Sequence, residues 1–289
     1  MTATTSRTTY PLARERNLIL GSLLLLAAAA WGLLIWQTSV MDDSMSLTMG
    51  LGAPVFIALW IAMMGAIMFP TAAPMIMMFA RVHRDKRAKG QPFVPAWIFT
   101  GAYILVWSAT GLIAYSIAVA GDELASNSRW LADNAPRIGG AALIAAGAYQ
   151  LSPVKEVCLG KCRSPMSFIL NSWRDGYWGS FRMGLEHAMF CLGCCWLLFL
   201  VLFPLGMMNI AALAIITALI FAEKSLPIGR QAARLAAALF IVYGALVIAV
   251  PSALPTTMDS GEMSRTEKGS APAQMGEIGV SGTSMPMER

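Results

Sequence analysis

Seven long, mostly apolar stretches alternate with short polar and basic ones along this chain: 18–37, 53–80, 95–120, 136–152, 184–204, 206–223 and 233–252. A helix needs about 20 apolar residues to cross a hydrocarbon core of about 30 Å, and in lipid an open chain satisfies its backbone polar groups only as a helix. The pattern therefore predicts an all-α fold, a polytopic bundle of seven transmembrane helices. The fourth stretch is short. The second is long, and Pro70 and Pro74 are expected to bend it or to turn its lower half into an interfacial segment. The first follows Arg7, Arg14 and Arg16, as a secretory signal would, but it continues through Trp31 to Trp36 and Gln37. That exceeds the roughly 7–15 residues of a signal core, so it is read as an uncleaved span.

Composition agrees with lipid as the main solvent: of 289 residues, 57% are hydrophobic and 13% charged. A net charge of +5 would fit a nucleic-acid partner only if the basic residues formed one patch, and they sit instead in the connections between apolar runs. The N-terminal tail and the 81–94, 153–183 and 224–234 connections hold 16 of the 21 Lys and Arg. The other side has Arg129, Arg137 and three in the C-terminal tail. Short cytoplasmic loops carry the basic excess, so the N-terminus is expected inside and the C-terminus outside. The expected layout is a cytoplasmic tail over 1–17, a helical membrane domain over 18–252 and a disordered extracytoplasmic tail over 253–289, in the cytoplasmic (inner) membrane. The lipid bilayer is the first partner, and no nucleic acid is expected.

The five cysteines, Cys158, Cys162, Cys191, Cys194 and Cys195, fall within 38 positions, and His187 lies among them. On a helix Met183, His187, Cys191, Cys194 and, at the edge, Cys195 form one stripe of the fifth span. Thiolate and imidazole bind zinc or copper, and thiolate favours the cuprous ion. The plain alternative is packing, because free cysteine behaves as a small hydrophobe. An ionisable group within a span is expensive and usually functional, which favours metal or redox use. His187 and Cys191, one turn apart, are expected to share an ion, with Cys158 and Cys162 folding back from the 153–183 loop to complete a tetrahedral set. Cys194 lies further along the helix axis.

Methionine forms a second pattern. Met64, Met68, Met75 and Met78 share a face of the second span, and Met41, Met45 and Met49 repeat every four residues beside Asp42 and Asp43. Thioether sulfur suits cuprous copper, although packing is the first reading of the Met64 and Met68 face. Glu223-Lys224, ending the sixth span, is read first as a helix-end ion pair and second as a partner orienting His187. His83, in the basic 81–87 segment, is expected to be solvated, with Trp173, Asp175 and Trp178 at the membrane interface. The carboxylate pairs Asp42-Asp43 and Asp122-Glu123 fall in short loops without acid–base partners. With no phosphate-binding loop, nucleophile elbow or zinc-protease helix, the chain does not read as an enzyme.

Several motifs resemble those of an uncharacterised bacterial family of predicted metal-binding integral membrane proteins. They are Cys158-Leu159-Gly160-Lys161-Cys162-Arg163-Ser164-Pro165, Gly184-Leu185-Glu186-His187 and Cys191-Leu192-Gly193-Cys194-Cys195-Trp196. Met207-Met208-Asn209, Glu223-Lys224, Trp60-Ile61-Ala62-Met63-Met64 and Pro70 extend the likeness over roughly 45–250. The resemblance implies metal binding by His187 and the cysteines. The leading expectation is a membrane protein handling a transition metal ion, copper before zinc, in transport, sensing or delivery to a metalloprotein, with a metalloprotein or metallochaperone as partner. The alternatives are a membrane thiol oxidoreductase and a structural or assembly subunit without metal.

Overall fold

The computed structural model describes residues 10–40, 48, 50–207 and 209–254. Met41, Asp42, Asp43, Met45, Met49, Met208 and the tail from 255 lie outside the described residues. The described chain is helical: α1 (Tyr10–Val40), α2 (Ala53–Ala88), α3 (Ala96–Asn127), α4 (Arg129–Gln150), α5 (Pro153–Arg163), α6 (Pro165–Ser172), α7 (Gly176–Leu200), α8 (Leu202–Leu205), α9 (Ile210–Ser225) and α10 (Gly229–Ala249).

A helix stands at each of the seven expected places, and five are long and apolar enough to cross a membrane: Arg16–Ser39, Ala53–Ala88, Ala96–Asn127, Gly176–Leu205 and Gly229–Ala249. α9, with 16 residues, and α4, which opens on Arg129, Asp133, Asn134 and Arg137, are not among them. Large apolar side chains cover much of the exterior, and a few charged or polar ones are enclosed in the apolar core. Leu25 is 71% exposed, Ile113 60% and Val242 68%, while His187, Glu223 and Lys155 are each 2% exposed.

α2 lies at the centre, burying Phe56, Trp60, Met63, Met64, Ile67, Met68, Met75, Ile76 and Phe79. It runs as one helix through Pro70 and Pro74, although each proline leaves a carbonyl four residues earlier without its intrahelical donor. It also continues eight residues past the expected end, so the basic segment is its last turns. That places His83 in the core at 1% exposure, where Nδ1 accepts from the Val94 N–H at 3.3 Å. The expected solvation of this histidine is thus corrected: Phe79 and Trp173 close over its ring at 4.5 and 5.0 Å. Nearby, Asp175 accepts from Lys86 and Trp173, which holds its carboxyl below the usual carboxylate range. Asp122 is also helical rather than in a loop, on the last turns of α3, and accepts from the Thr48 N–H and hydroxyl at 3.1 and 3.0 Å.

The stretch expected as a 153–183 loop folds into α5, α6 and the first turns of α7. The local signals are Ser152-Pro153 and Ser164-Pro165, a helix-capping residue followed by proline at the first helical position. The Ser152 hydroxyl accepts from the Lys155 N–H at 3.1 Å. α5 then packs back against α7 and α9.

Two close approaches set the frame. α4 meets α10 backbone to backbone, where a Cβ on Gly140 would lie 2.8 Å from the Gly244 carbonyl oxygen and one on Gly244 2.5 Å from that of Gly140. α3 meets α7 at Gly184, where a Cβ would come 2.4 Å from the Phe99 carbonyl oxygen. Only glycine permits this spacing, and it brings Tyr103, one turn past Phe99, against the cysteine stripe.

Candidate metal centre

The centre is the thiol of Cys191, 1% exposed in the middle of α7. Three other helices touch it and a fourth comes near. From α3 the Tyr103 hydroxyl lies 3.0 Å from its Sγ. From α9 the Lys224 ammonium donates to it at 3.0 Å. From α2 the Met68 Sδ lies 3.8 Å away, and Cys162 on α5 is near enough to interact electrostatically with Cys191 and Cys194. Met68 is itself fully buried and also faces the Lys224 ammonium at 3.7 Å and the Thr71 hydroxyl at 3.9 Å.

Each partner arrives by helical spacing. Phe99, Tyr103 and Trp107 are the buried row of α3, and Leu213, Ile216, Ile220, Glu223 and Lys224 that of α9, at the three- and four-residue steps of one helix face. Lys224 is therefore on the core side of α9. The helix-end pairing of Glu223 with Lys224 is accordingly revised. Glu223 is bound by Lys155 at 2.7 Å and by the Gln150 amide at 2.9 Å, leaving Lys224 to the sulfurs. Among the described residues Lys224 has no carboxylate ion-pair partner.

The remaining expected ligands divide into groups. Cys194 and Cys195 are buried and turn their thiols back onto the Cys191 carbonyl oxygen at 3.0 and 2.8 Å. Cys158, partly exposed, faces Gly193, where a Cβ would come 2.8 Å from its Sγ. Gly193 is two residues from Cys191, about 200° around the helix, so Cys158 lies on another side of α7. His187 is 2% exposed and enclosed by Phe99, Tyr103 and Phe168, with ring centroids at 5.8, 5.7 and 5.4 Å. Its Nδ1 is buried without a hydrogen-bond partner. Met64 is fully buried on the same helix as Met68, one turn away.

Cys191 and Met68 are therefore brought into contact, with the Cys194 thiol on the Cys191 carbonyl and Cys162 nearby. The expected convergence of Cys158, Cys162, Cys191 and His187 on one point is not present: among the described residues no three or more His, Cys, Asp or Glu side chains are grouped to hold a metal. The sulfur set around Cys191 differs in kind, because a thioether replaces the imidazole and a cation stands beside it. Sequence reading missed Tyr103, Gln150 and Lys155. The buried rows of α3 and α4 carry a signal for the first two, whereas nothing local in Lys155 announces its burial.

A thiol and a thioether in contact are donors of the soft kind that suits cuprous copper. The chain belongs to the PpoB2 family, described as copper chaperones, whose profile matches residues 57–247. No curated protein and no solved structure matches it. The matched range includes every side chain around Cys191 and leaves out all of α1.

Proposed function

We propose that the chain is a seven-span protein of the cytoplasmic membrane that holds one cuprous ion on Cys191, Cys162 and Met68 and delivers it to a partner metalloprotein. The observation that carries this reading is the contact of the Cys191 and Met68 sulfurs, 3.8 Å apart, and Cys162 is near the same thiol. Two sulfurs this close can both reach an ion at the roughly 2.3 Å of a metal–sulfur bond. His187, whose buried Nδ1 has no protein partner, is the nitrogen donor of the same stripe. Cys194 and Cys195 are reserve thiols one turn on, Cys158 an outer one, and Met64 extends the sulfur face of α2. Membrane residence is supported by the apolar exterior and the five long apolar helices. Delivery, ahead of sensing or transport, is supported by the family's description as copper chaperones.

Two measurements test the reading. Protein purified in detergent and titrated anaerobically with cuprous ion against a competing chelator should bind one ion per chain; no binding would remove the function. Reporter domains fused after residue 255 should be active only outside the cytoplasm, and those inserted at Gly90, in the α2–α3 connection, only inside. A cytoplasmic C-terminus would refute the seven-span arrangement while leaving the copper titration standing.

A further inference from the structure

Lys224 has no role as a ligand, yet its ammonium touches two of the three sulfurs assigned above, Cys191 at 3.0 Å and Met68 at 3.7 Å. It is 9% exposed, and the neighbouring carboxylate of Glu223 is engaged by Lys155 and Gln150. A fixed positive charge thus stands against the sulfur set without a carboxylate to cancel it. An uncompensated charge in a low-dielectric interior is strongly unfavourable, so the sum of charges in this layer decides which ion fits.

Resting on the copper reading above, we propose that Lys224 is the residue that makes the centre selective for a monovalent soft ion. A cuprous ion bound by the thiolates of Cys162 and Cys191 and the neutral thioether of Met68 carries a net charge of −1, which the ammonium brings to zero. A divalent ion on the same donors is neutral and leaves the ammonium uncompensated, and it is also repelled twice as strongly by that ammonium. The same arithmetic admits silver(I), which shares the charge and the softness, and excludes zinc. Lys224 is therefore a specificity-determining residue that acts through the charge beside the ligands.

The test compares the wild-type chain with Lys224→Met, Lys224→Gln and Lys224→Arg, each purified in detergent and checked for monodispersity and thermal unfolding. Affinities for copper(I), silver(I) and zinc(II) are read by chelator competition. The neutral variants should lose copper(I) and silver(I) affinity at least tenfold and gain in zinc(II) affinity, whereas Lys224→Arg should keep the wild-type order. If Lys224→Met does not fold, Lys224→Gln, which retains a hydrogen-bond donor, carries the comparison. Unchanged copper(I) affinity in a folded neutral variant, or an equal loss for all three ions, overturns the inference but leaves the copper reading intact. A wild-type chain that binds no copper(I) overturns that reading instead.

Discussion

Replacing Cys191 by Ser is expected to abolish stoichiometric copper binding, the largest effect of any single substitution in this chain. Cys191 touches Tyr103, Lys224 and Met68 on three surrounding helices and has Cys162 of a fourth nearby. Serine keeps a hydroxyl that Tyr103 and Lys224 can still engage, so the fold should survive while the soft donor disappears. Cys162→Ser and Met68→Leu each remove one sulfur of the same set and should weaken binding by a factor of ten or more. Met68→Leu is nearly volume-conserving and so separates sulfur from packing. Cys195→Ser should change affinity little, because that thiol is turned onto the Cys191 carbonyl. Copper content by mass spectrometry and chelator competition gives the ranking. Full copper retention in Cys191→Ser would place the ion elsewhere, with Cys158 and His187 as the next candidates.

The helical architecture was legible because span-length apolar runs have few solutions, and the same periodicity put His187, Cys191, Cys194 and Cys195 on one buried stripe. Where reading along the chain failed, the deciding contact came from a distant segment. His83 looks solvated among arginines and lysines, but two extra turns of α2 carry it under Trp173. Glu223 and Lys224 look like a local pair, yet each finds its partner on another helix, Lys155 on α5 and Cys191 on α7. Met68 reads first as packing because helical spacing cannot say which of several buried methionines faces a thiol. Cys158 and Cys162 are one turn apart on α5, and only the docking of that helix against Gly193 separates their surroundings. Spacing put the sulfurs on shared helix faces, and helix packing decided which of them touch.

Glu223→Ala is expected to give the largest loss of stability. The Lys155–Glu223 pair joins α5 to α9 with both side chains 2% exposed, and Gln150 from α4 completes it. Removing one partner of a buried pair leaves a bare ammonium in the interior and typically costs about 3–5 kcal/mol. The other ties of α5 cannot compensate. Arg163 reaches the Leu226 carbonyl oxygen at 2.9 Å from an exposed position, and the Arg230–Glu156 pair is 76% and 61% exposed, where ion pairs contribute little. Because α5 carries Cys162, its loosening should also lower copper affinity, although less than Cys191→Ser does, since Cys191 and Met68 stay in place. The double variant Lys155→Met with Glu223→Leu replaces both charges by apolar groups and should recover most of the stability, giving a coupling in a double-mutant cycle that the single variants cannot. Thermal unfolding in detergent, followed by circular dichroism, reads the corners of the cycle, which are the wild type, Lys155→Met, Glu223→Leu and the double variant. A Glu223→Ala chain that unfolds at the wild-type temperature would show that this pair does not hold α5 over the cysteines.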